Sequence, residues 1–200
     1  AQFRRGYNRS LATSEELSRM SHLTVYSETD PAEPLVETDD FGRIADELRK
    51  AGIRFERWEA DRELAADASD AEILAAYQSE IDKLVSERGY QTYDVVSMNP
   101  DHPDKTAFRG KFLDEHTHSE DEVRFFVRGQ GLFVIHTNER VYSMLCEKDD
   151  LISVPANTRH WFDMGPNPEF TAIRLFNNPE GWVAKFTGDD IARNYPLLDN

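Results

Sequence analysis

Residues 110–129, GKFLDEHTHSEDEVRFFVRG, contain the pattern that decides the fold. His116 and His118 are two positions apart, and alternate side chains of a β-strand lie on the same face. Both imidazoles can therefore point toward one metal ion. Glu122 follows after a short loop, where it can present a carboxylate from the start of the next strand. The segment predicts neighbouring strands that carry metal ligands.

A later turn supplies a fourth candidate ligand. Pro155 is followed by Asn157, a residue type that tolerates left-handed backbone, and this combination predicts a tight turn that delivers His160 to the same ion. Three imidazoles and one carboxylate without a thiolate suit Fe(II), Ni(II), Mn(II), Co(II) or Zn(II) rather than a cysteine-rich structural zinc site. Four protein ligands leave positions open on an octahedral ion, which is typical of a catalytic site.

A pair of histidines two positions apart can also be two surface residues of an edge strand. The remaining histidines outside the pattern are interpreted as ordinary residues of that kind: His22, His102 and His136. For the candidate ligands this alternative loses weight, because the pair, the spaced glutamate, the later histidine and the flanking glycines occur together in a fixed order.

The chain after residue 112 predicts a series of short strands, each bounded by Gly, Pro, Asn or Asp. They are expected at 122–128, 131–136, 140–147, 151–154, 159–164, 170–176 and 182–186. Regular short strands with turn residues between them are typical of a β-sandwich or a β-barrel.

The first half of the chain mixes helices with isolated strands. Apolar stripes predict helices from Thr38 to Ala51 and over about 70–88, and a short helix is expected near 104–111. Pro31 and Pro34 predict a loop. Strands are expected at 21–27, 53–59 and 92–98. Early helices and later strands together favour a mainly β fold, a barrel with helices packed outside.

Composition limits the partners and the compartment. The net charge of −15 and the pI of about 4.8 disfavour binding to nucleic acid or to anionic membranes, and they are compatible with a monomer. Cys146 is the only cysteine in the sequence, so it is interpreted as a structural thiol of a reducing compartment. No apolar run reaches the roughly 18–20 residues that span a bilayer. We expect a cytoplasmic protein.

Residues 1–19 differ from the rest of this acidic chain, because they contain four arginines and two glutamates. Met20 follows directly and is a candidate natural start. We interpret 1–19 as an N-terminal extension outside the fold, disordered or left over from expression, and 20–200 as a single domain. An organelle-targeting segment is the alternative, which the two glutamates disfavour.

The metal-binding pattern resembles the two motifs of the cupin superfamily. The first, G(X)5HXH(X)3-4E(X)6G, is matched by Gly110, His116, His118, Glu122 and Gly129. The second, G(X)5PXG(X)2H(X)3N, is matched by Pro155 and His160, with Asp149, Asn157 and Met164 at the other fixed positions. These departures concern the geometry of the turns and leave the ligands intact.

Longer stretches resemble the acireductone dioxygenases over nearly all of 22–197. They are FERWEADREL (55–64), AAYQSEIDKL (75–84), DVVSM (94–98), KFLDEHTHSEDEVRFFV (111–127), CEKDDLISVPANTRHWFDMG (146–165), FTAIRLFNNPEGWVAKFTGDDIA (170–192) and NYP (194–196). The resemblance implies a cupin barrel, that is, a double-stranded β-helix or jelly roll.

The resemblance also implies an activity. One Fe(II) or Ni(II) ion per chain would support the cleavage of an acireductone, 1,2-dihydroxy-3-keto-5-methylthiopentene, by O2 in methionine salvage, a route of methionine biosynthesis. The Fe form would yield formate and 2-keto-4-methylthiobutyrate. The Ni form would yield formate, carbon monoxide and methylthiopropionate.

Two arginines are candidates for contact with an anionic substrate. Arg124 has the same parity as Glu122 in its predicted strand, so both side chains would enter one cavity. A buried guanidinium without a partner is costly, and an anionic substrate would supply one. Arg174 lies in an apolar run and raises the same question. The alternative for both is a structural pair with a carboxylate.

Aromatic residues near the ligands are candidates for the apolar wall that holds the methylthio tail: Phe112, Phe162 and Trp182. Three carboxylates lie close to the ligands in sequence, namely Glu115, Glu120 and Asp121. Asp121 is our choice for the base that deprotonates the substrate. The alternative is that these are solvated loop carboxylates.

Two other functions remain open at this point. Another cupin enzyme, such as a different dioxygenase or an isomerase, would keep the metal and change the substrate. A non-enzymatic cupin binding module often lacks some ligands, whereas all four are present here together with Arg124.

Overall fold

The computed structural model describes residues 20–178 and 183–199. Its strands are β1 (His22–Ser27), β2 (Asp30–Thr38), β3 (Arg54–Arg57), β4 (Thr92–Met98), β5 (His116–Thr117), β6 (Glu122–Thr137), β7 (Arg140–Glu147), β8 (Asp150–Val154), β9 (Arg159–Asp163), β10 (Phe170–Phe176) and β11 (Lys185–Phe186). The helices are α1 (Phe41–Lys50), α2 (Asp70–Ala76), α3 (Gln78–Arg88) and α4 (Lys105–Leu113), and a 3₁₀ turn covers Ile191–Asn194. The predicted extension, 1–19, lies outside the described residues.

Strand β6 belongs to two antiparallel sheets. Its first half pairs with β8 and β10 in a sheet of order β4–β10–β6–β8–β3. Its second half lies between β7 and β9 in a sheet of order β2–β1–β7–β6–β9–β5–β11. The predicted strands 122–128 and 131–136 are therefore one continuous strand. The mainly β cupin fold expected from the sequence is confirmed.

Gly129 lies between the two halves of β6 and has a φ of 70°. A Cβ atom at this position would lie 1.8 Å from the carbonyl oxygen of Glu169. Both the left-handed backbone and the close approach require glycine here. In contrast, Gly110, the other glycine of the first motif, lies inside α4 and has open space around its Cα.

An aromatic core fills the space between the sheets. Phe126 on β6 lies edge-on to Phe133 at 6.4 Å and to Phe170 at 6.2 Å, measured between ring centroids. Phe133 in turn packs against Phe162 at 4.8 Å. All four rings are buried, and each such side chain contributes on the order of 1.5–3 kcal/mol. This core occupies the same interior as Glu122 and Arg124, which share the inward parity of Phe126 on β6.

Helices α2 and α3 cover the outer face of the smaller sheet. The buried rings of Trp58 and Tyr77 lie 4.9 Å and 4.7 Å from that of Phe125. The prediction of a single helix over 70–88 was wrong at one point, because the helix is interrupted at Tyr77, which has a φ of −115°. The amide of Tyr77 donates to the carbonyl of Leu74, three residues back, which closes α2 before α3 begins.

The loop predicted at Pro31 and Pro34 was also wrong, because both residues lie in β2. Strand β2 pairs with β1 alone among the described strands, and its register shifts near Pro34. A proline is tolerated at such an edge, where the missing N–H faces solvent or a bulge. None of the helices in the described ranges is long and apolar enough to cross a membrane.

The burial of Tyr77 predicts a pH dependence of stability. Burial raises the pKa of Tyr77 from 10.0 to about 12, so the folded protein keeps a proton that the unfolded chain loses near the ordinary pKa. The stabilising contribution is therefore complete below pH 10 and is lost as the pH rises toward about 12. We expect the free energy of unfolding of Tyr77→Phe to fall less steeply over this interval, as measured by urea unfolding at stepped pH. Equal slopes for the variant and the unchanged protein would contradict the linkage.

Candidate metal centre

The structure brings the four predicted ligands into one cluster. His116 comes from β5, His118 from the loop after it, Glu122 from the first position of β6, and His160 from β9. One ligand atom from each residue lies within 4.8 Å of the others, and all four residues are buried. Nitrogen and carboxylate donors at this spacing, without a thiolate, fit a divalent transition-metal ion.

Backbone carbonyls fix the orientation of two imidazoles. Nδ1 of His116 donates to the carbonyl of Asp114 at 2.7 Å, and Nδ1 of His160 donates to the carbonyl of Thr158 at 2.8 Å. Each bond leaves Nε2 as the available ligand atom. Nε2 of His160 lies 2.8 Å from Oε2 of Glu122. The ring nitrogens therefore converge on the carboxylate.

Burial and neighbouring charges set the protonation of the cluster. Burial, followed by the effect of His160, lowers the pKa of His116 from 6.5 to about 4, so this ring is neutral at neutral pH. Burial alone would raise the pKa of Glu122. Arg124 and then the histidines outweigh burial, and the pKa of Glu122 lies well below its ordinary value. The cluster therefore offers a neutral imidazole and an ionised carboxylate, the forms that bind metal ions.

The turn before β9 has the backbone that the sequence predicted. Asn157 has a φ of 62°, and Asp149, at the other position where the motif has glycine, has a φ of 77°. Asparagine and aspartate are the non-glycine residues that adopt this region most readily. The amide of Asn157 donates to the carbonyl of His118 at 2.7 Å. This bond ties the turn that carries His160 to the first pair of ligands.

Arg124 lies beside Glu122, and its Nε lies 2.9 Å from Oε1 of that carboxylate. The sequence left a structural pair with a carboxylate open for Arg124, and its carboxylate partner is Glu122, a ligand of the candidate metal centre. The guanidinium carbon lies 5.1 Å from the centroid of the Phe162 ring, within the range of a cation–π contact. Arg124 therefore lies between the ligands and the aromatic core.

Arg174 forms the structural pair that the sequence left as an alternative. It lies opposite Arg124 in the register of β10 and β6, and it donates to both oxygens of Asp94 at 2.8 Å and 2.5 Å. A bidentate pair of this kind fixes the plane of the guanidinium. The geometry supports a structural role for Arg174 on β10.

The aromatic residues that were predicted to form the apolar wall lie in different parts of the structure. Phe162 is buried in the aromatic core, and a Cβ atom at Gly131 would lie 2.6 Å from its ring, so the glycine leaves room for it. Phe112 is partly buried on α4 and packs against the same core. Trp182 lies outside the described residues.

Asp121 bridges two parts of the site. One carboxylate oxygen accepts from the hydroxyl of Tyr90 at 2.9 Å, and the other accepts from the amide of Ala156 at 3.0 Å. Burial, together with the bond to Asp121, raises the pKa of Tyr90 to about 12, so this phenol remains a donor. Asp121 thus connects the start of β6 to the turn that carries His160, and its role as the base stays a prediction.

Sequence reasoning missed a group of residues beside the ligands. His136 was expected to be an ordinary surface histidine, but it is 3% exposed and lies between the carboxylates of Glu115 and Glu28. Phe186 on β11 lies edge-on to His116, with 5.9 Å between the ring centroids. The position of His136 at the end of an apolar run was the one signal available, since its partners are distant in sequence.

Comparisons with known proteins show which protein family this chain is similar to. Residues 22–184 match the model of the ARD/ARD′ family. The acireductone dioxygenase of Enterobacter sp. (strain 638) is 62% identical over 90% of this chain and 99% of its own. That of Pseudomonas aeruginosa (strain UCBPP-PA14) is also 62% identical, over 90% of this chain and 100% of its own.

A solved structure shows a similar fold. It is the acireductone dioxygenase from Bacillus anthracis with a cadmium ion in its active centre. The TM-score is 0.72 at 31% sequence identity, over 84% of this chain and 98% of that chain.

The geometry of the cluster predicts that each ligand is needed for metal binding. We expect His116→Ala, His118→Ala, Glu122→Ala and His160→Ala each to lower the metal content sharply after gel filtration, because each removes one donor of a four-donor set. Elemental analysis of the purified variants measures this loss. His102→Ala is the matched control and should keep its metal. Any one of the four variants that retains full metal content removes that residue from the site.

Proposed function

Because the chain belongs to the ARD/ARD′ family, we propose that it is an acireductone dioxygenase that uses O2 to cleave 1,2-dihydroxy-3-keto-5-methylthiopentene in methionine salvage. The observation that carries the proposal is the buried cluster of three imidazoles and one carboxylate with Arg124 beside it. Relatives with 62% identity across almost the whole of their length support the same assignment.

The donor set supports Fe(II) or Ni(II) as the resident ion, held by His116, His118, Glu122 and His160. A bound ion of this kind acts as a Lewis acid and as a template for an oxygen-rich substrate. The protein orients the donors, because the carbonyls of Asp114 and Thr158 hold the rings of His116 and His160 in place.

The residues around the cluster suit an anionic, partly apolar substrate. An acireductone is an enediol beside a ketone, and its anion is electron-rich. The positive charge of Arg124 lies at the cluster, where it would balance the charge of such an anion. The rings of Phe162 and Phe133 lie next to the guanidinium. Phe162 remains our candidate for the apolar wall that would hold the methylthio tail.

Removal of the substrate proton needs a base. Our candidate remains Asp121, whose two oxygens each accept one hydrogen bond, from Tyr90 and Ala156, and each keep a second lone pair that can take a proton. Glu120 is the alternative, whereas Glu115 is fully buried and bonded to His136.

The partners that we propose are the small acireductone and O2 alone. A net charge of −15 supports this choice, because it disfavours nucleic acid and anionic membranes. We further propose that the chain acts as a monomer in the cytoplasm, where its lone cysteine would stay reduced.

Substitution of Arg124 tests the substrate contact. We expect Arg124→Ala, saturated with metal, to lose roughly 10²–10³-fold in kcat/KM, because a charge-assisted contact near the reacting atoms is removed. The variant should keep its metal, because Arg124 is not one of the four candidate ligands. Arg124→Lys keeps the charge without the planar donors and should show an intermediate rate. Unchanged kinetics in the metal-saturated alanine variant would exclude Arg124 from substrate binding.

The identity of the metal predicts the products. Apoprotein loaded with Fe(II) should convert the acireductone to formate and 2-keto-4-methylthiobutyrate. The same apoprotein loaded with Ni(II) should release formate, carbon monoxide and methylthiopropionate. Oxygen uptake, carbon monoxide release and keto-acid yield are measured on matched samples. Identical products from both forms would exclude the dual chemistry, and absence of oxygen uptake in both would exclude the substrate.

A further inference from the structure

The first ligand strand has little backbone support of its own. Strand β5 consists of His116 and Thr117, and it pairs with β9 at the single position where His116 faces His160. Its other neighbour, β11, is equally short. Few ladder hydrogen bonds therefore hold the backbone of His116, and side chains around β5 must contribute.

Glu115 precedes His116, and its side chain points away from the metal cluster, to the outer face of the larger sheet. This side chain is completely buried, which is costly for a carboxylate unless donors surround it. Nδ1 of His136 lies 2.5 Å from Oε2, and the hydroxyl of Thr187 donates to Oε1 at 2.8 Å. The amide of Thr187 also donates to the carbonyl of Glu115 at 3.0 Å.

His136 connects this carboxylate to β6, a strand that is paired on both sides at this position. It lies on β6, opposite Val141 of β7 on one side and Arg159 of β9 on the other. Its Nε2 lies 2.9 Å from Oε2 of Glu28, so each ring nitrogen faces a carboxylate.

We propose that His136 is a positioning residue, which acts through Glu115 to hold the backbone of His116 and so slows the release of the metal ion. The inference rests on the metal centre of the proposed function and does not depend on the substrate or the reaction. Without a donor from His136, the buried carboxylate of Glu115 would move toward water. His116 is joined to Glu115 by one peptide bond and would move with it.

Two substitutions of His136 separate the two contacts of the ring. The amide nitrogen of asparagine lies close to the position of Nδ1, so His136→Asn keeps a donor for Glu115. The longer glutamine places its amide nitrogen near the position of Nε2, so His136→Gln keeps a donor for Glu28 and loses the one for Glu115. A general structural role on the outer face would treat the two variants alike.

The experiment follows metal release from Ni(II)-loaded protein in excess EDTA at neutral pH, without substrate. Substitution of a residue that hydrogen-bonds a metal ligand typically changes metal affinity by about 10–100-fold. His136 acts on a ligand through Glu115, and we expect His136→Gln to release Ni(II) about 10-fold faster than the unchanged protein. His136→Asn should stay close to the unchanged protein. Glu28→Gln, which alters only the far side of His136, should also leave the release rate nearly unchanged.

A further variant separates faster metal release from misfolding. Thr187 is exposed, so Thr187→Val should fold while it removes one donor to Glu115, and it should release Ni(II) faster than the unchanged protein. Circular dichroism and thermal midpoints establish that each variant is folded. Equal release rates in His136→Asn and His136→Gln, or no acceleration in Thr187→Val, would overturn the proposal. Because no substrate is present, these rates stay distinct from a failure of the proposed activity.

Discussion

Glu122 distributes its two oxygens among three partners: His118 and His160 approach Oε2, and Arg124 approaches Oε1. The carboxylate is almost completely buried, and a charge in that position is costly unless its partners are held in good geometry. Those partners come from the loop after β5, from β9 and from β6 itself. The strands must therefore meet at the first residue of β6, and the arrangement of the two sheets around this shared strand satisfies that demand.

The same constraint explains why the metal ligands could be predicted from the sequence. A metal cluster built on strands leaves a local signature, because His116 and His118 need a spacing of two and a later turn must present His160. The backbone of that turn is also local, and Asn157 adopts the left-handed conformation expected of it. Spacing and turn chemistry act over a few residues, so a single chain without relatives reveals them.

Pairs of side chains that are distant in sequence and come into contact only in the folded protein could not be predicted. Asp94 pairs with Arg174 across 80 residues of sequence, and Glu28 reaches His136 across 108. The many carboxylates in the chain made it impossible to choose between candidates. The interruption of the predicted helix at Tyr77 has the same origin, because the buried ring packs against a strand that lies much later in the chain. Local propensity predicts the elements, and tertiary packing decides where they bend.

The ligands are divided between the two sheets, since Glu122 belongs to the part of β6 that pairs with β8, whereas His116 and His160 belong to β5 and β9 of the other sheet. An ion held by all of them joins the two layers of the sandwich. Occupancy and folding are then linked equilibria, and a concentration of free ion 100-fold above its dissociation constant stabilises the folded state by about 2.7 kcal/mol. The supply of metal in the cell would thus influence how much of the protein survives proteolysis, in addition to its activity. Metal starvation would lower the abundance of the protein even where its synthesis continues unchanged.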